Sequence, residues 1–444
     1  MNPADLTATE GTRLVAARRL SALEWSSACL ERARSLEPTL RAFVDLDGES
    51  WLERARILDD RIGTQKPRAL AGLPLGVKDT MNTRDLPTGM GSALWKGFTP
   101  GNDARVVTAA LEEQALVAGK TVTAEFAVHT PNETRNPRDP SKSPGTSSSG
   151  SAAAVAAGVL PAALGTQTGG SIIRPASYCG AWGMKPSFGL IPRTGMLKTT
   201  DSLDTVGFFG RSAADLGLLL DALRVRGPDY PFVHRRVDSG EGRRRVGQGF
   251  KVAVLLEGHG SFEHLEPTTR SAFATFMQKL SGHPEITLTE PRLPALAAES
   301  HSIHTTIYHR ALAYYFQTEF KHAGKISDVI RAVIEEGRGI SLEAYQMALA
   351  NQEILSHQMD ETFAGIDILL TPSTAGPAPD FGTAIDPPDT CLLWTLCGLS
   401  VASVPALRVG ALPVGVQAVA RRFSDEKLVD FLMLLEEQGL VRDR

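Results

Sequence analysis

Hydrophobic residues recur at helical spacing near the start of the chain. They form an apolar stripe at Leu14, Ala17, Leu20 and Leu23. A second amphipathic segment covers residues 26–33, so the pattern predicts N-terminal helices over residues 1–65. Beyond residue 70, glycine and proline interrupt short apolar runs. The first run, Leu73–Val77, is typical of a buried strand, and Lys78 follows it directly.

Strand-like and helix-like segments alternate through the rest of the chain. The predicted strands are 73–77, 116–118 (leading into a turn at 119–121), 250–256, 367–370 and 412–419. The predicted helices are 105–113, 152–157, 267–280, 305–320 and 341–361. No internal repeat is present. This alternation predicts an α/β fold in which helices flank both faces of the sheet.

Composition and charge give no reason to expect a polyanionic partner. Hydrophobic residues make up 42% of the chain, charged residues 22%, and the formal net charge is −4. We therefore expect neither nucleic acid nor an anionic membrane as a partner, and we interpret the arginine-rich stretch 235–245 as a solvated loop. No apolar run reaches the roughly 18 residues of a membrane span. The N-terminus lacks a signal-peptide pattern, so a cytoplasmic location is expected.

The four cysteines are too far apart to indicate a metal cluster or a disulfide framework. They lie at positions 29, 179, 391 and 397. Buried thiols are the expected state, and no metal site is predicted.

Two segments rich in glycine and serine concentrate the candidate chemistry. Residues 132–151 hold helix breakers and hydroxyls and run directly into an alanine-rich helix. A Gly/Ser loop that opens onto a helix N-terminus is an anion-binding arrangement, so we interpret this segment as an ordered functional loop and not as a linker. Residues 164–171 form the second Gly/Ser loop, which ends at Ser171.

A serine nucleophile needs a base, and the sequence favours lysine over histidine. Most of the ten histidines lie in the middle third, none is in a Gly-rich turn, and no GxSxG elbow surrounds Ser171. Lys78, at the end of an apolar strand, is the other candidate. Burial lowers the pKa of a lysine, and a neutral amine can accept a proton. The alternative for Lys78 taken alone is a solvated strand end paired with Asp79.

Three motifs in this order resemble the amidase-signature family: Gly72–Asp79, Pro144–Gly150 and Gly165–Ser171. The resemblance is dense over residues 70–215 and returns at 365–435. It implies a single domain over 1–444, built on a mixed central sheet, with residues 220–360 as a variable region that shapes the substrate pocket. Four aromatic residues there could line the pocket or belong to the core: Tyr308, Tyr314, Tyr315 and Phe316.

The resemblance also implies the site residues. It makes Ser171 the nucleophile of an acyl-enzyme, Ser147 a bridging serine that follows a cis peptide bond, and Lys78 the terminal base. The implied oxyanion hole consists of the backbone N–H groups of Thr168, Gly169, Gly170 and Ser171. No metal or organic cofactor is implied. The family often forms homodimers, so a homodimer is one implied assembly.

Two departures from the family pattern affect these expectations. Thr146 and Ser149 replace glycines of the usual bridging loop, so the loop must be remodelled if its backbone there requires glycine. We expect an intact triad with a narrower pocket. Val122–Ala124 differs from the Asn- and acid-containing sequence usual in the subunits of tRNA-dependent amidotransferases.

Residues 165–175 resemble malonamidase-type enzymes, whose corresponding arginine binds a substrate carboxylate. This implies that Arg174 binds substrate, together with Thr166 and Thr146; the alternative for Arg174 is a structural salt bridge. The expected function is hydrolysis of a small-molecule carboxamide, with carboxylate-bearing amides among the candidates. Three alternatives remain open: a biosynthetic acyl-transfer enzyme, a ligand-binding protein without hydrolytic activity, and an amidotransferase subunit.

Overall fold

The computed structural model describes residues 2–226, 249–256, 260–383 and 390–441. The arginine-rich stretch 235–245 lies outside these residues. Eleven strands of the described chain form one sheet, in the order β1-β3-β2-β4-β6-β5-β10-β11-β9-β7-β8. They are β1 (Phe43–Asp45), β2 (Pro74–Lys78), β3 (Leu116–Thr121), β4 (Ala162–Gln167), β5 (Trp182–Lys185), β6 (Thr205–Gly210), β7 (Phe250–Val254), β8 (Ile286–Thr289), β9 (Ile368–Pro372), β10 (Ser400–Val409) and β11 (Leu412–Ala420).

The sheet is mixed, and its parallel part brings strand ends together. β2 pairs in parallel with both β3 and β4, whereas β6 pairs antiparallel with β4. The carboxyl ends of β2 and β4 therefore lie at the same edge, where loops of an α/β sheet commonly hold ligands. Lys78 is the last residue of β2, and Gln167 is the last residue of β4.

Helices cover both faces of the sheet. The α-helices in the described residues are α1 (Ala8–Ala16), α2 (Ala22–Leu40), α3 (Gly48–Ile62), α4 (Arg105–Glu112), α5 (Ser149–Ala156), α6 (Ile173–Cys179), α7 (Ala213–Leu223), α8 (Pro267–Ser281), α9 (Ser300–Tyr315), α10 (Gln317–Phe320), α11 (Asp328–Gly339), α12 (Leu342–Thr362), α13 (Leu392–Leu396) and α14 (Asp425–Glu437). Short 3₁₀ helices occur at Pro3–Asp5, Ala93–Trp95, Glu125–Ala127, Gly260–His264, Ala295–Glu299 and Ala323–Lys325.

The sheet separates two hydrophobic cores. In β9, Ile368 and Leu370 join one core, and Leu369 between them joins the other. This is the alternation that a strand buried on both faces requires. Helices α9, α11 and α12 contribute to the second core. The predicted α/β fold with a mixed sheet flanked by helices is therefore confirmed.

Several predicted elements have different limits in the structure. The N-terminal stripe is not one helix, because α1 ends at Ala16 and α2 begins at Ala22 after a capping box formed by Ser21 and Glu24. Residues 119–121 continue β3 instead of forming a turn. Residues 164–167 belong to β4, which leaves only Thr168–Ser171 as the second Gly-rich turn. Six of the eleven strands were not predicted: β1, β4, β5, β6, β8 and β10.

The four cysteines are buried and free, as the sequence predicts. Across the described ranges, no helix combines the length and the apolar character that a membrane span needs.

Candidate active site

Lys78 is the centre of a buried cluster of hydroxyl groups. Its side chain is 0% exposed, because β2 lies between β3 and β4 and α5 packs against it. Its Nζ lies 2.7 Å from Ser147 Oγ, 2.9 Å from Ser148 Oγ and 2.8 Å from Thr166 Oγ1. Burial lowers the pKa of Lys78 well below its ordinary value, and the negative charge of Asp204 opposes this shift. The alternative of a solvated lysine is therefore wrong.

The hydrogen bonds of Ser148 restrict where the protons of this cluster can lie. Ser148 Oγ is 3.1 Å from the carbonyl oxygen of Thr166 and 3.3 Å from its backbone nitrogen. A carbonyl can only accept, so the one hydroxyl proton of Ser148 goes to it and Ser148 accepts an N–H from Lys78. In its neutral form, Lys78 has two N–H groups and one lone pair for the three hydroxyls of Ser147, Ser148 and Thr166, so it can accept a proton from one of them.

The bridging loop accommodates the two residues that replace glycine. The Thr146–Ser147 peptide bond is cis, as the resemblance implies. The loop's positive φ, 84°, is at Gly145, and neither Thr146 nor Ser149 adopts one. A side chain at Gly145 would lie 2.9 Å from Pro175 Cα, so this position requires glycine. Ser149 begins α5, and its hydroxyl accepts a hydrogen bond of 2.8 Å from Asn132 Nδ2.

Ser171 lies in the turn between β4 and α6, next to the bridging loop. Its side chain is 8% exposed, and its carbonyl accepts a hydrogen bond of 3.3 Å from Ser148 N. Gln167 closes the turn, because its Oε1 accepts from Ile172 N at 2.8 Å and Ile173 N at 3.0 Å. The structure therefore places the backbone of the predicted nucleophile beside the Lys78 cluster.

Three of the four N–H groups predicted to form the oxyanion hole have no hydrogen-bond acceptor among the residues that the structure describes. Within the described chain, no acceptor is bonded to the N–H groups of Gly169, Gly170 or Ser171. Three consecutive donors of this kind can stabilise the oxyanion of a tetrahedral intermediate.

Asp204 holds the Thr168–Ser171 turn by a hydrogen bond and was not predicted from the sequence. Its Oδ1 accepts from Thr168 Oγ1 at 2.7 Å and from Thr199 Oγ1 at 2.6 Å. Its Oδ2 accepts from the backbone N–H groups of Thr199 and Thr200 at 2.8 and 3.0 Å. The buried carboxylate fixes the first residue of the turn and places a negative charge near Lys78.

Two further side chains contact the turn and were also missed. His304 Nε2 lies 2.8 Å from the carbonyl oxygen of Thr168, and Thr395 Oγ1 lies 2.7 Å from that of Gly169. No local sequence signal indicates either contact, because His304 and Thr395 are 136 and 226 residues away from their partners.

The three predicted substrate-binding residues lie close to one another, and each forms hydrogen bonds with other groups of the protein. Arg174 is only 2% exposed, and its Nη1 donates to Thr146 O at 3.1 Å and to Thr146 Oγ1 at 2.6 Å. The third residue, Thr166, accepts a hydrogen bond of 2.8 Å from Lys78 Nζ at its Oγ1. Arg174 thus connects α6 to the bridging loop, and its role toward substrate stays a prediction.

The four aromatic candidates divide between the interior and the surface. Tyr308 is buried next to His304, with ring centroids 5.6 Å apart, and burial raises the pKa of its hydroxyl. Phe316 packs against Phe126 in the second core. Tyr314 is 67% exposed, and Tyr315 donates its hydroxyl to Asp201 at the surface. Of these four residues, Tyr308 is therefore the one that packs against a side chain contacting the Gly-rich turn.

Asp79 does not pair with Lys78 but with Lys120, at 3.4 Å between Oδ1 and Nζ. Lys120 Nζ also donates to Met81 O at 2.7 Å and to Thr88 Oγ1 at 2.8 Å. Burial lowers the pKa of Lys120 to about 8. This buried ion pair holds the segment that follows β2.

Comparison with known proteins gives matches over nearly the whole chain. A sequence profile of the Amidase family matches residues 24–429. A glutamyl-tRNA(Gln) amidotransferase subunit from Thermus thermophilus is 34% identical over 460 residues, which cover 95% of each chain. A solved structure of an amidase superposes with a TM-score of 0.86 at 29% identity, covering 98% of this chain and 100% of the other. The peptide amidase of Stenotrophomonas maltophilia gives a TM-score of 0.81 at 27% identity, with 99% and 98% covered.

Proposed function

Because the chain belongs to the amidase-signature family, we propose that it breaks a carboxamide C–N bond through an acyl-enzyme on Ser171. The observation that carries this proposal is the 2.7 Å contact between Ser147 Oγ and Lys78 Nζ, an amine whose pKa burial lowers well below its ordinary value. A serine hydroxyl bonded to a neutral amine can pass on the proton that a nucleophile must lose.

In the proposed acylation, Ser171 Oγ attacks the amide carbonyl carbon while its proton moves to Ser147, whose own proton moves to Lys78. The N–H groups of the Thr168–Ser171 turn stabilise the oxyanion. The Lys78 ammonium then returns its proton through Ser147 to the leaving nitrogen, and the C–N bond breaks. Water then attacks the ester of Ser171 with the same relay as its base, which restores the free serine and releases the acid.

The fate of the released ammonia separates two candidate functions. The similarity to an amidotransferase subunit over 95% of both chains favours a protein that supplies ammonia to a partner. The departure at Val122–Ala124 and the similarity to solved amidases favour the second candidate, a free hydrolase of small amides. Both candidates use the same acyl-enzyme.

Ammonia release by the purified chain tests the shared chemistry and separates the candidates. Glutamine, neutral amides and carboxylate-bearing amides are the substrates, and Ser171→Ala is the control. A free amidase should reach a kcat/KM on the order of 10⁴ M⁻¹s⁻¹ or more on one amide without any partner. A transferase component should release ammonia slowly alone and accelerate with its protein partner and the acceptor. Equal ammonia release by wild type and Ser171→Ala would exclude both functions.

A further inference from the structure

We propose that His304 and Thr395 are positioning residues that aim the N–H groups of Gly169 and Gly170 into the oxyanion hole. This inference rests on the proposed function of Ser171 and deepens it. It assigns part of the transition-state stabilisation to two helices, α9 and α13, that lie outside the three signature motifs.

The geometry of the peptide group connects these side chains to the oxyanion hole. In a planar trans peptide, the C=O of one residue and the N–H of the next point in opposite directions. Fixing the carbonyl of Thr168 therefore fixes the N–H of Gly169, and fixing the carbonyl of Gly169 fixes the N–H of Gly170. His304 and Thr395 are bonded to these two carbonyls, at 2.8 and 2.7 Å.

The direction of the Thr395 hydroxyl follows from its partners. Gln167 uses its Oε1 to accept two backbone N–H groups, so its Nε2 is the atom that faces Thr395, at 2.9 Å from Oγ1. Thr395 must accept this N–H, which leaves its single proton for a carbonyl. The Gly169 oxygen is nearer, at 2.7 Å, than the Cys391 oxygen, at 3.3 Å. Gln167 thus donates to Thr395, and Thr395 donates to the carbonyl of Gly169, so the direction of both hydrogen bonds is fixed.

The His304 contact is defined in the same way. A carbonyl oxygen only accepts, so Nε2 of His304 carries the proton in this contact. His304 is buried, and its ring is held beside Tyr308. The helices that carry the two anchors pack against each other, so both anchors share one rigid support.

The other end of the turn is fixed by the backbone. The Gly170 carbonyl accepts from Arg174 N at 2.9 Å as α6 begins. His304 and Thr395 therefore hold the two carbonyls of the turn that accept no helical hydrogen bond in the described chain, those of Thr168 and Gly169. A preorganised dipole contributes most to catalysis when it does not reorient during the reaction.

Substitutions that remove the anchoring donor test the inference, and Thr395→Val also removes the acceptor of Gln167 Nε2. Thr395→Val and His304→Phe keep the shape but lose the donor, whereas Thr395→Ser and His304→Gln retain one. Loss of one oxyanion donor costs about 100-fold in kcat, and a misaligned donor should cost less, about tenfold, with KM nearly unchanged. Cys391 also makes a weak thiol contact of 3.9 Å with the Gly169 carbonyl. Because this contact remains in Thr395→Val, it limits the loss of kcat.

A boronic acid inhibitor gives the readout that a general structural effect would not change. It forms a tetrahedral adduct with serine and uses the oxyanion hole, whereas a slowly cleaved amide used as a competitive inhibitor binds in its ground state. The inhibition constant of the boronic acid should rise by the factor by which kcat falls, while ground-state binding stays constant. Thr12→Val, which loses a 2.9 Å hydroxyl bond to Ala8 O far from the site, is the matched control and should match wild type.

Different outcomes separate the two proposals. If Ser171→Ala is inactive but Thr395→Val and His304→Phe keep wild-type kcat, the positioning role is wrong and the proposed function stands. If Ser171→Ala keeps wild-type turnover, the proposed function itself fails. Loss of boronic acid and ground-state affinity by the same factor would also overturn the positioning role. Should Thr395→Val not fold, the His304→Phe and His304→Gln pair carries the same test.

Discussion

Replacing Lys78 with methionine should abolish amide turnover while leaving the fold intact. Methionine has a similar length and no ionisable group, so the substitution removes the base without opening a large cavity. Among the described contacts of Ser147 Oγ, Lys78 is the one titratable group. No neighbouring base is therefore placed to take over its role.

The magnitude of the rate loss follows from the value of a general base. Such a group contributes roughly 10²–10⁴-fold to the rate, which corresponds to about 2.7–5.4 kcal/mol of activation free energy. Because the proposed relay has a single terminal base, we expect a loss near the upper end, about 10⁴-fold in kcat.

The expected change in stability is much smaller. Lys78→Met removes three hydrogen bonds, each worth about 1 kcal/mol net. It also removes an amine whose charged form is disfavoured by burial, and Ser148 retains both of its bonds to Thr166. These effects oppose each other, so the free energy of unfolding should stay within about 2 kcal/mol of wild type.

The pH dependence of the stability difference between wild type and Lys78→Met is an independent test of the lowered pKa of Lys78. The pKa of Lys78 is lowered in the folded state, so between that pKa and 10.5 the unfolded chain binds more protons than the folded chain. The stability of wild type relative to Lys78→Met should therefore rise with pH in this window. Urea denaturation of both proteins at pH 7 and 9 measures this difference in the free energy of unfolding. Other lysines with a shifted pKa are present in both proteins, so their contributions cancel.

Ammonia release and urea denaturation of the same preparations complete the test. If Lys78→Met keeps more than about a tenth of the wild-type kcat, Lys78 is not the general base. A variant that unfolds at neutral pH would show instead that the stability estimate is wrong.

Three further substitutions have defined outcomes. Asp204→Asn removes a negative charge that raises the pKa of Lys78, so the acidic limb of the kcat/KM profile should move to lower pH. Arg174→Leu should raise KM for carboxylate-bearing amides about 30-fold more than for neutral amides, as expected for a lost charge-assisted hydrogen bond. Asp79→Asn leaves Lys120 buried without its counter-charge and should lower the free energy of unfolding by about 3 kcal/mol, measured by urea denaturation.

Each of these outcomes has a clear contradiction. A limb that moves to higher pH in Asp204→Asn would refute the sign of its interaction with Lys78. Equal changes of KM for carboxylate-bearing and neutral amides in Arg174→Leu would show that Arg174 does not bind a substrate carboxylate. Wild-type stability in Asp79→Asn would show that the ion pair is not needed to hold its segment.

The parts of the site that could be predicted from sequence are local. Lys78 ends an apolar strand, and the loop before α5 carries adjacent serines, so hydrophobic pattern and composition mark both. Resemblance to a family then connected segments that lie 69 residues apart, as the Lys78–Ser147 contact shows. Periodicity alone would not have connected them, because it reports burial and not which strand ends are neighbours.

The anchors of the Gly-rich turn could not be predicted, because nothing in their own segments marks them. His304 and Thr395 are polar residues in ordinary helices, and their role arises from tertiary packing. Strand β10 was missed for a related reason. It contains Pro405, and its pairing with β11 shifts register between Val404 and Leu407. Proline in a strand is a signal against that assignment unless the strand is irregular at that point.

The most direct test of the proposed chemistry is the mass of the covalent intermediate. The protein would be mixed with a slowly deacylating activated ester, quenched in acid, and analysed by intact-protein and peptide mass spectrometry. We predict a single acyl adduct, located on Ser171, that accumulates in wild type and is absent from Ser171→Ala. An adduct located on another residue, or undiminished acylation of Ser171→Ala, would contradict the assignment of Ser171 as the nucleophile.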